Sequence, residues 1–198
     1  MTPSPTPTPS DIPTPSPEPT ETPNQSPTPE PTDTPAPSRV VINEIAWMGT
    51  AADANDEWLE LYNAGDSAVD LSGWTLQAED GTPKIALSGT IGANGYYLLE
   101  RTDDTVISDI AADQIYSGAM GNAGEVLVLR DSTGMERDRV SAWYAGNNTT
   151  KASMERIDAL ADGSDPSNWA DHVGAAYGAD ADGNPINGTP GAKNSVQA

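Results

Sequence analysis

Glu57-Trp58-Leu59-Glu60-Leu61-Tyr62-Asn63, then Ala64-Gly65-Asp66-Ser67-Ala68-Val69-Asp70, then Leu71-Ser72-Gly73-Trp74-Thr75-Leu76 is the stretch whose reading decides the fold. In its first part Leu59 and Leu61 fall on one side and Trp58, Glu60 and Tyr62 on the other, the period of two that marks a half-buried strand. Its last part repeats the pattern, with Trp74 and Leu76 alternating with Thr75 and Gln77. The polar residues 63–67 between them include a Gly and an Asp, which supply turn conformations at little steric cost. The expectation is two strands joined by one turn, with aromatic residues on both.

Working outward, residues 39–47, Arg-Val-Val-Ile-Asn-Glu-Ile-Ala-Trp, are rich in β-branched and aromatic residues and read as the first strand. Its inward face is ambiguous, because Val41, Ile45 and Trp47 compete with Ile42 and Ala46. A small, polar loop over residues 48–56 follows. Beyond Leu76, a turn at 80–83, a short strand at 84–87 and a loop at 89–95 lead to residues 95–101, which are apolar on both faces and read as a central strand. Residues 102–113 form a connection whose Val106, Ile107 and Ile110 suit a short edge strand or one helical turn. Further strands are expected at 114–116, 125–131, 138–144 and 152–157. Residues 164–169 read as a turn that tucks Trp169 onto the sheet, and regular structure is not expected from about residue 171. Short strands, frequent Gly turns and no helical period give an all-β sandwich.

The chain has 198 residues of two kinds. Residues 1–38 hold fourteen of the eighteen prolines, interleaved with Thr and Ser, together with five acids and no Lys or Arg. Such a composition does not offset its ordering entropy by burial, so it reads as a disordered, solvated linker. In polyproline II form it would span on the order of 100 Å. The remaining residues, 39–198, suffice for one sandwich-sized domain. They carry twenty-five acids against nine Lys and Arg, a net charge of −16. A surface this acidic argues against nucleic acid and anionic membrane as partners, since phosphates are held by Lys and Arg. Cysteine is absent, which removes disulfides, thiolate zinc sites and a thiol nucleophile. No apolar run reaches the length of a membrane span, and no apolar leader core follows Met1, so the Thr-Pro start reads as a boundary inside a longer protein.

Five motifs taken together point to a family. Ile42-Asn43-Glu44-Ile45, residues 57–63, Val69-Asp70-Leu71-Ser72-Gly73-Trp74-Thr75-Leu76, Ser153-Met154-Glu155-Arg156 and Gly188-Thr189-Pro190-Gly191-Ala192-Lys193-Asn194 resemble, in order and spacing over residues 39–194, the lamin tail domain. The resemblance implies an immunoglobulin-like β-sandwich used as a non-catalytic interaction module, in nuclear lamins and in bacterial secreted or surface proteins. No heptad rod precedes the domain here, and a Thr-Pro spacer stands in its place, so an intermediate filament is excluded. The chain looks like the bacterial, extracellular type, with a protein or a cell-surface polysaccharide as its partner.

Several residues also suggest chemistry. Ser catalysis needs a base, and the single histidine, His172, lies in the irregular C-terminal part. Glu44, Glu57 and Glu60 on neighbouring strands are the carboxylates that glycosidic acid–base work would need, yet beside Trp and Tyr they read first as scaffold. Calcium is the one cofactor the sequence raises: Asp180, Asp182 and Asn184 set three oxygen donors at alternate positions, as the first half of a calcium loop does, without the closing Glu. Asp53, Asn55, Asp56 and Glu57 form a second acidic cluster. A carbohydrate-binding role is the alternative to a protein-binding one, with Tyr97, Trp143, Tyr144 and Tyr177 as stacking residues. The counter-argument is that a chain without Phe must fill its core with Trp and Tyr. Asn24, Asn147 and Asn187 lie in glycosylation sequons.

Overall fold

The computed structural model describes residues 1–4 and 39–198, and within them the apolar runs become twelve short strands. In chain order these are β1 (Val40–Ala46), β2 (Trp58–Asn63), β3 (Val69–Asp70), β4 (Thr75–Ala78), β5 (Lys84–Ala86), β6 (Thr90–Ile91), β7 (Tyr96–Arg101), β8 (Gln114–Tyr116), β9 (Leu127–Arg130), β10 (Glu136–Val140), β11 (Met154–Arg156) and β12 (Trp169–Asp171). The linker expected over residues 1–38 lies outside the described residues apart from its first four. Strands β12-β11-β1-β2-β7-β8 make one sheet and β10-β9-β4-β5 the other, with β3 and β6 as a separate pair. All pairings are antiparallel except that of β7 with β8. The fold is an immunoglobulin-like β-sandwich, all-β as the alternation demanded.

The opening stretch holds one surprise. Strands β2 and β4 are not hairpin partners but belong to opposite sheets. Both carry inward apolar residues, and facing each other across the sandwich buries them at once: Leu59, Leu61, Trp74 and Leu76 all lie in the central core, none more than 4% exposed. The polar connection is therefore a crossing between layers. It is pinned where it leaves β2, since Asn63 donates from Nδ2 to the carbonyls of Ser67 and Gly92 and accepts from the Gly65 N–H.

The ambiguity of β1 resolves through a bulge. Its register on β2 shifts between Ile42 and Glu44, so Ile42 pairs with Leu61 and Ile45 with Leu59. One extra residue flips the alternation, placing Val40, Ile42 and Ile45 in the core and leaving Glu44 and Ala46 on the outer face. Neither period-two set holds for the whole strand.

That outer face is not left to solvent. Ala46, Met48, Trp58, Leu98, Val106, Ile107 and Ile186 form a second buried cluster. The covering residues come from the connection 102–113, which is neither strand nor helix but consecutive turns, and from the C-terminal part. Among the described residues beyond β12 there is no strand, only an isolated bridge between Ala179 and Pro185. Yet His172, Asp180, Thr189 and Asn194 are buried there. The expected strand at 138–144 lies earlier, at Glu136–Val140, because the tight turn after Asp131 starts pairing at once.

Candidate functional site

On the outer face of the larger sheet three carboxyl groups stand in a row across neighbouring strands. Glu44 on β1 pairs in register with Glu155 on β11 and with Glu60 on β2, and all three are fully buried. Ionised carboxylates in such a place need partners, and these come from segments far away in the chain. Glu44 accepts from the Ser153 hydroxyl (2.6 Å), the Thr189 N–H (2.8 Å) and the Thr189 hydroxyl (2.9 Å). Glu60 accepts from Asn43 Nδ2 at 2.9 Å and from the Gly191 N–H at 2.5 Å. Glu155 accepts from the Ser195 hydroxyl (2.6 Å) and the Val196 N–H (3.3 Å), and its Oε1 lies 2.7 Å from His172 Nδ1. Asn43 and Asn194 complete the layer, with Asn43 Nδ2 donating to Asn194 Oδ1 and Asn194 Nδ2 to the carbonyls of Asn43 and Arg156.

Residues 187–197 thus lie as a strap over the row. Gly188 lets the strap seat itself: a Cβ there would come within 2.6 Å of Glu44 Oε1 and 2.7 Å of the Trp58 ring. Burial, reinforced by the neighbouring Glu155 charge, pushes the Glu44 carboxyl up to about 8. Burial and then Glu44 raise Glu60 well above the usual carboxylate range. Two further glutamates anchor other segments in the same manner. Glu100 on β7 accepts from the N–H groups of Val106 and Ile107, and burial pushes it up to about 8. Glu57 accepts from the Met120 N–H at 2.7 Å and pairs with Arg101 at 3.2 Å, and burial pushes it up to about 7.

Raised carboxyls side by side are what an acid–base pair would need. Here, however, the oxygens of Glu44, Glu57 and Glu60 face protein donors, and what lies over Glu44 and Glu60 is the strap and not a cleft. His172 does not stand in a loose end as expected; it is buried against Glu155, and its Nε2 meets no hydroxyl that it could activate.

The calcium reading needs correction at Asp180. Asp180 is buried and its carboxylate serves as an internal acceptor: Oδ1 takes the N–H groups of Asp182 and Asn184, and Oδ2 takes the N–H of Ala52 at 2.9 Å. Asn184 turns its Nδ2 to the same carboxylate, and Asp182 is exposed. Burial would raise Asp180, but these donors together hold it below the usual range. The three residues form a capped turn and not a converging set of oxygens. In the second acidic cluster Asp53 accepts from Asn55 and Asp56 from the Thr50 hydroxyl, while Glu57 is turned to Met120. Among the described residues no group of three or more His, Cys, Asp or Glu side chains is placed to hold a metal ion.

The stacking residues are likewise redistributed. Tyr97 is 3% exposed, sits opposite Leu61 in the core, and donates its hydroxyl to the Ser88 carbonyl at 2.7 Å. It is unavailable to a sugar ring. Trp143 and Tyr144 are half-buried against the core, with Trp143 Nε1 donating to Gly121 and the Tyr144 hydroxyl to Ser164. Tyr177 is exposed. The aromatic pair in contact is one the sequence did not single out, Tyr62 and Tyr96, half-buried with ring centroids 5.0 Å apart and tilted by 32°. Of the sequons, Asn147 caps its own turn by accepting from Thr149 and Thr150, Asn187 donates to the Thr150 carbonyl, and Asn24 lies outside the described residues.

Sequence reasoning did not bring together Asn43, Glu155, Thr189 and Asn194 as one cluster, nor Asp138 with Arg156, though all of those residues but Asp138 stand in the quoted motifs. Arg156 is 1% exposed and binds Asp138 at 2.6 Å, and Asp138 accepts the Ile42 N–H at 2.8 Å. The available signal was that polar residues recur in motifs otherwise built of apolar ones.

Comparison with known proteins agrees with this architecture. The profile of the Lamin Tail Domain family matches residues 33–143, more than half of the chain. No curated protein matches the chain. Strands β11 and β12 and the strap lie beyond the matched range and close the outer layer upon it. The match, carried on a sandwich whose buried acids serve as anchors, makes the chain a member of the lamin tail domain family, a family of non-catalytic immunoglobulin-like interaction domains.

Proposed function

We propose that the protein is a binding or positioning module of a secreted or surface-displayed bacterial protein, whose partner is another protein or a cell-surface polysaccharide. The observation that carries this reading is that the glutamates with raised carboxyls are spent on protein donors, so the residues best suited to acid–base chemistry are occupied in holding the fold. The acidic balance and the Thr-Pro-rich residues 1–38 support an extracellular setting with a spacer. Among the described residues no helix is long and apolar enough to cross a membrane.

The experiment pairs binding with turnover. The full chain is incubated with insoluble cell-wall polysaccharides and with intact cells, pelleted, and assayed in parallel for release of soluble sugar. Retention without release is expected. Sugar release that disappears in Glu44→Gln or Glu57→Gln would overturn the non-catalytic reading. Retention that survives protease treatment of the cells but is competed by soluble glycan assigns the polysaccharide branch, and Trp143 and Tyr144 are then the aromatics to truncate.

A further inference from the structure

The hydrogen atoms around Thr189 do not balance unless one carboxyl in the row carries a proton. Thr189 Oγ1 lies 2.9 Å from Glu44 Oε2, 3.0 Å from Glu155 Oε1 and 3.4 Å from Asn194 Oδ1. A hydroxyl has one hydrogen to give and cannot serve three acceptors. Glu155 has other donors, Ser195, Val196 and the His172 ring, whereas Glu44 Oε2 has Thr189 alone. If Glu44 is the acid form, it donates from Oε2 to Thr189, and Thr189 donates onward to the ionised Glu155. Both short contacts are then proper hydrogen bonds, and the 3.4 Å approach of Asn194 Oδ1 is left as a polar contact without a hydrogen.

The surroundings favour that arrangement. Facing Glu44 are Glu60 from β2 and Glu155 from β11, with His172 behind Glu155, Tyr96 from β7 and Asp113 nearby acting on Glu60. Arg156, the buried Lys or Arg among the described residues, is committed to Asp138 and the Ile42 carbonyl. Three carboxylates in one buried row, with no Lys or Arg paired to them and a single imidazole beside Glu155, cannot all be ionised at modest cost.

We propose that Glu44 keeps its proton at neutral pH as the first member of a Glu44–Thr189–Glu155 relay, and that this proton latches residues 187–197 onto the sheet, so that the strap loosens as the pH rises. Loss of the latch is a simple deprotonation: the Glu44 proton passes to hydroxide, water leaves, and the Thr189 oxygen then faces two anions. The sign follows from linkage. The closed strap holds a proton that the opened, solvated Glu44 would release near its ordinary value of 4.5, while the closed form keeps it up to about 8. Latching is therefore complete below about 4.5 and is lost as pH climbs through about 8, with strap opening rising about tenfold per pH unit for one proton in between. Opening bares Trp58 and the three carboxylates, which lie beneath Gly188–Asn194 in the closed form.

The test is amide hydrogen exchange of the full chain, read by mass spectrometry on peptides covering residues 187–197 between pH 5 and 9, after correction for the intrinsic base-catalysed rate. The expected result is a corrected opening constant that rises about tenfold per unit to about pH 8 and then levels, with the strap far less protected than the β9 and β4 peptides at every pH. In Glu44→Gln the neutral amide still donates to Thr189, and the slope should fall by the Glu44 share, leaving only what Glu60, buried beneath the Gly191 N–H, contributes. Thr189→Val, which removes the relay, should open the strap at every pH. A flat wild-type profile, or the same slope in Glu44→Gln as in the wild type, overturns the proposal. Should Glu44→Gln not fold, the carboxyl carbon resonance of Glu44 in the wild-type protein decides: the acid form at pH 6.5 sustains the latch, and the ionised form refutes it.

Discussion

Arg156→Met is the most informative single change. Arg156 lies on β11 and Asp138 on β10, in opposite sheets. The guanidinium binds both Asp138 oxygens, at 2.6 and 3.2 Å, and donates to the carbonyls of Ile42 and Ala161 at 2.9 and 2.6 Å. It also lies 5.6 Å from the centre of the Trp169 ring. Methionine keeps much of the stem volume but strands Asp138 as a buried anion with only the Ile42 N–H to answer it. Breaking one partner of a buried pair costs about 3–5 kcal/mol, and the lost cation–π contact adds about 1 kcal/mol. Against a total stability of about 5–15 kcal/mol for a domain this size, the variant should sit near the edge of folding. Urea unfolding followed by Trp fluorescence gives the number from the midpoint at constant slope. The double variant Arg156→Met/Asp138→Leu supplies the internal check: with no stranded charge it should be more stable than Arg156→Met, despite the Ile42 N–H left unpaired at about 1–3 kcal/mol. A single variant that loses less than about 1 kcal/mol, or two changes that simply add, would refute the view that this pair clamps the sheets.

Trp74→Ala should cost about 3–5 kcal/mol in the same assay, because the ring is 4% exposed in the central core; unchanged melting would mean that its pocket collapses without cost. Excess calcium should leave the melting temperature unchanged and give no heat in calorimetry, since the Asp180 oxygens already hold backbone donors; a rise of several degrees would reinstate the Asp180, Asp182 and Asn184 site. Global stability should fall between about pH 4.5 and pH 8, by up to about 1.4 kcal/mol per unit for each retained proton. Glu44 and Glu100 are raised to about 8 and Glu57 to about 7, so folding favours their acid forms in that window. A urea midpoint that climbs over the same range would contradict it.

What the sequence revealed of this fold tracks where its constraints are local. The strands at β2, β7 and β9 follow from alternation and β-branched content within a few residues, and the two-layer architecture follows from their number. The partnership of β2 and β4 was misread because a polar turn between two apolar strands looks alike whether it closes a hairpin or crosses between sheets. The decisive information is which apolar faces must meet, and that is a property of the whole sandwich. The bulge at Asn43 was invisible for a related reason: the sequence shows two competing parities in β1 and not the place where one yields to the other. Tyr97 looks free in the sequence because β7 is apolar on both faces, and its burial is settled only by the pairing with Leu61. The strap was the least legible part. Its Gly, Asn and Pro content is that of a loop, and its order comes from acceptors more than a hundred residues away.

The same glutamates that first suggest chemistry explain how a segment without regular structure is held in place. An irregular chain cannot satisfy its N–H groups within itself, so burying one requires acceptors from elsewhere. A β-sheet supplies few, because its own carbonyls are committed to the ladder. Outward-facing carboxylates in the middle of strands solve that problem: each offers two oxygens with several lone pairs at a fixed point on a rigid surface. Glu44, Glu60 and Glu155 do this for the strap, Glu100 for the connection through Val106 and Ile107, and Glu57 for the turn at Met120. The cost is electrostatic, and apart from Arg101 beside Glu57 it is met by retained protons more than by cations, in a domain that has twenty-five acids and nine bases. Raised carboxyls in this protein are thus what anchoring by anion-forming groups looks like when counter-charges are scarce, and they mark where loops are tied to the sheet, not where a substrate is turned over.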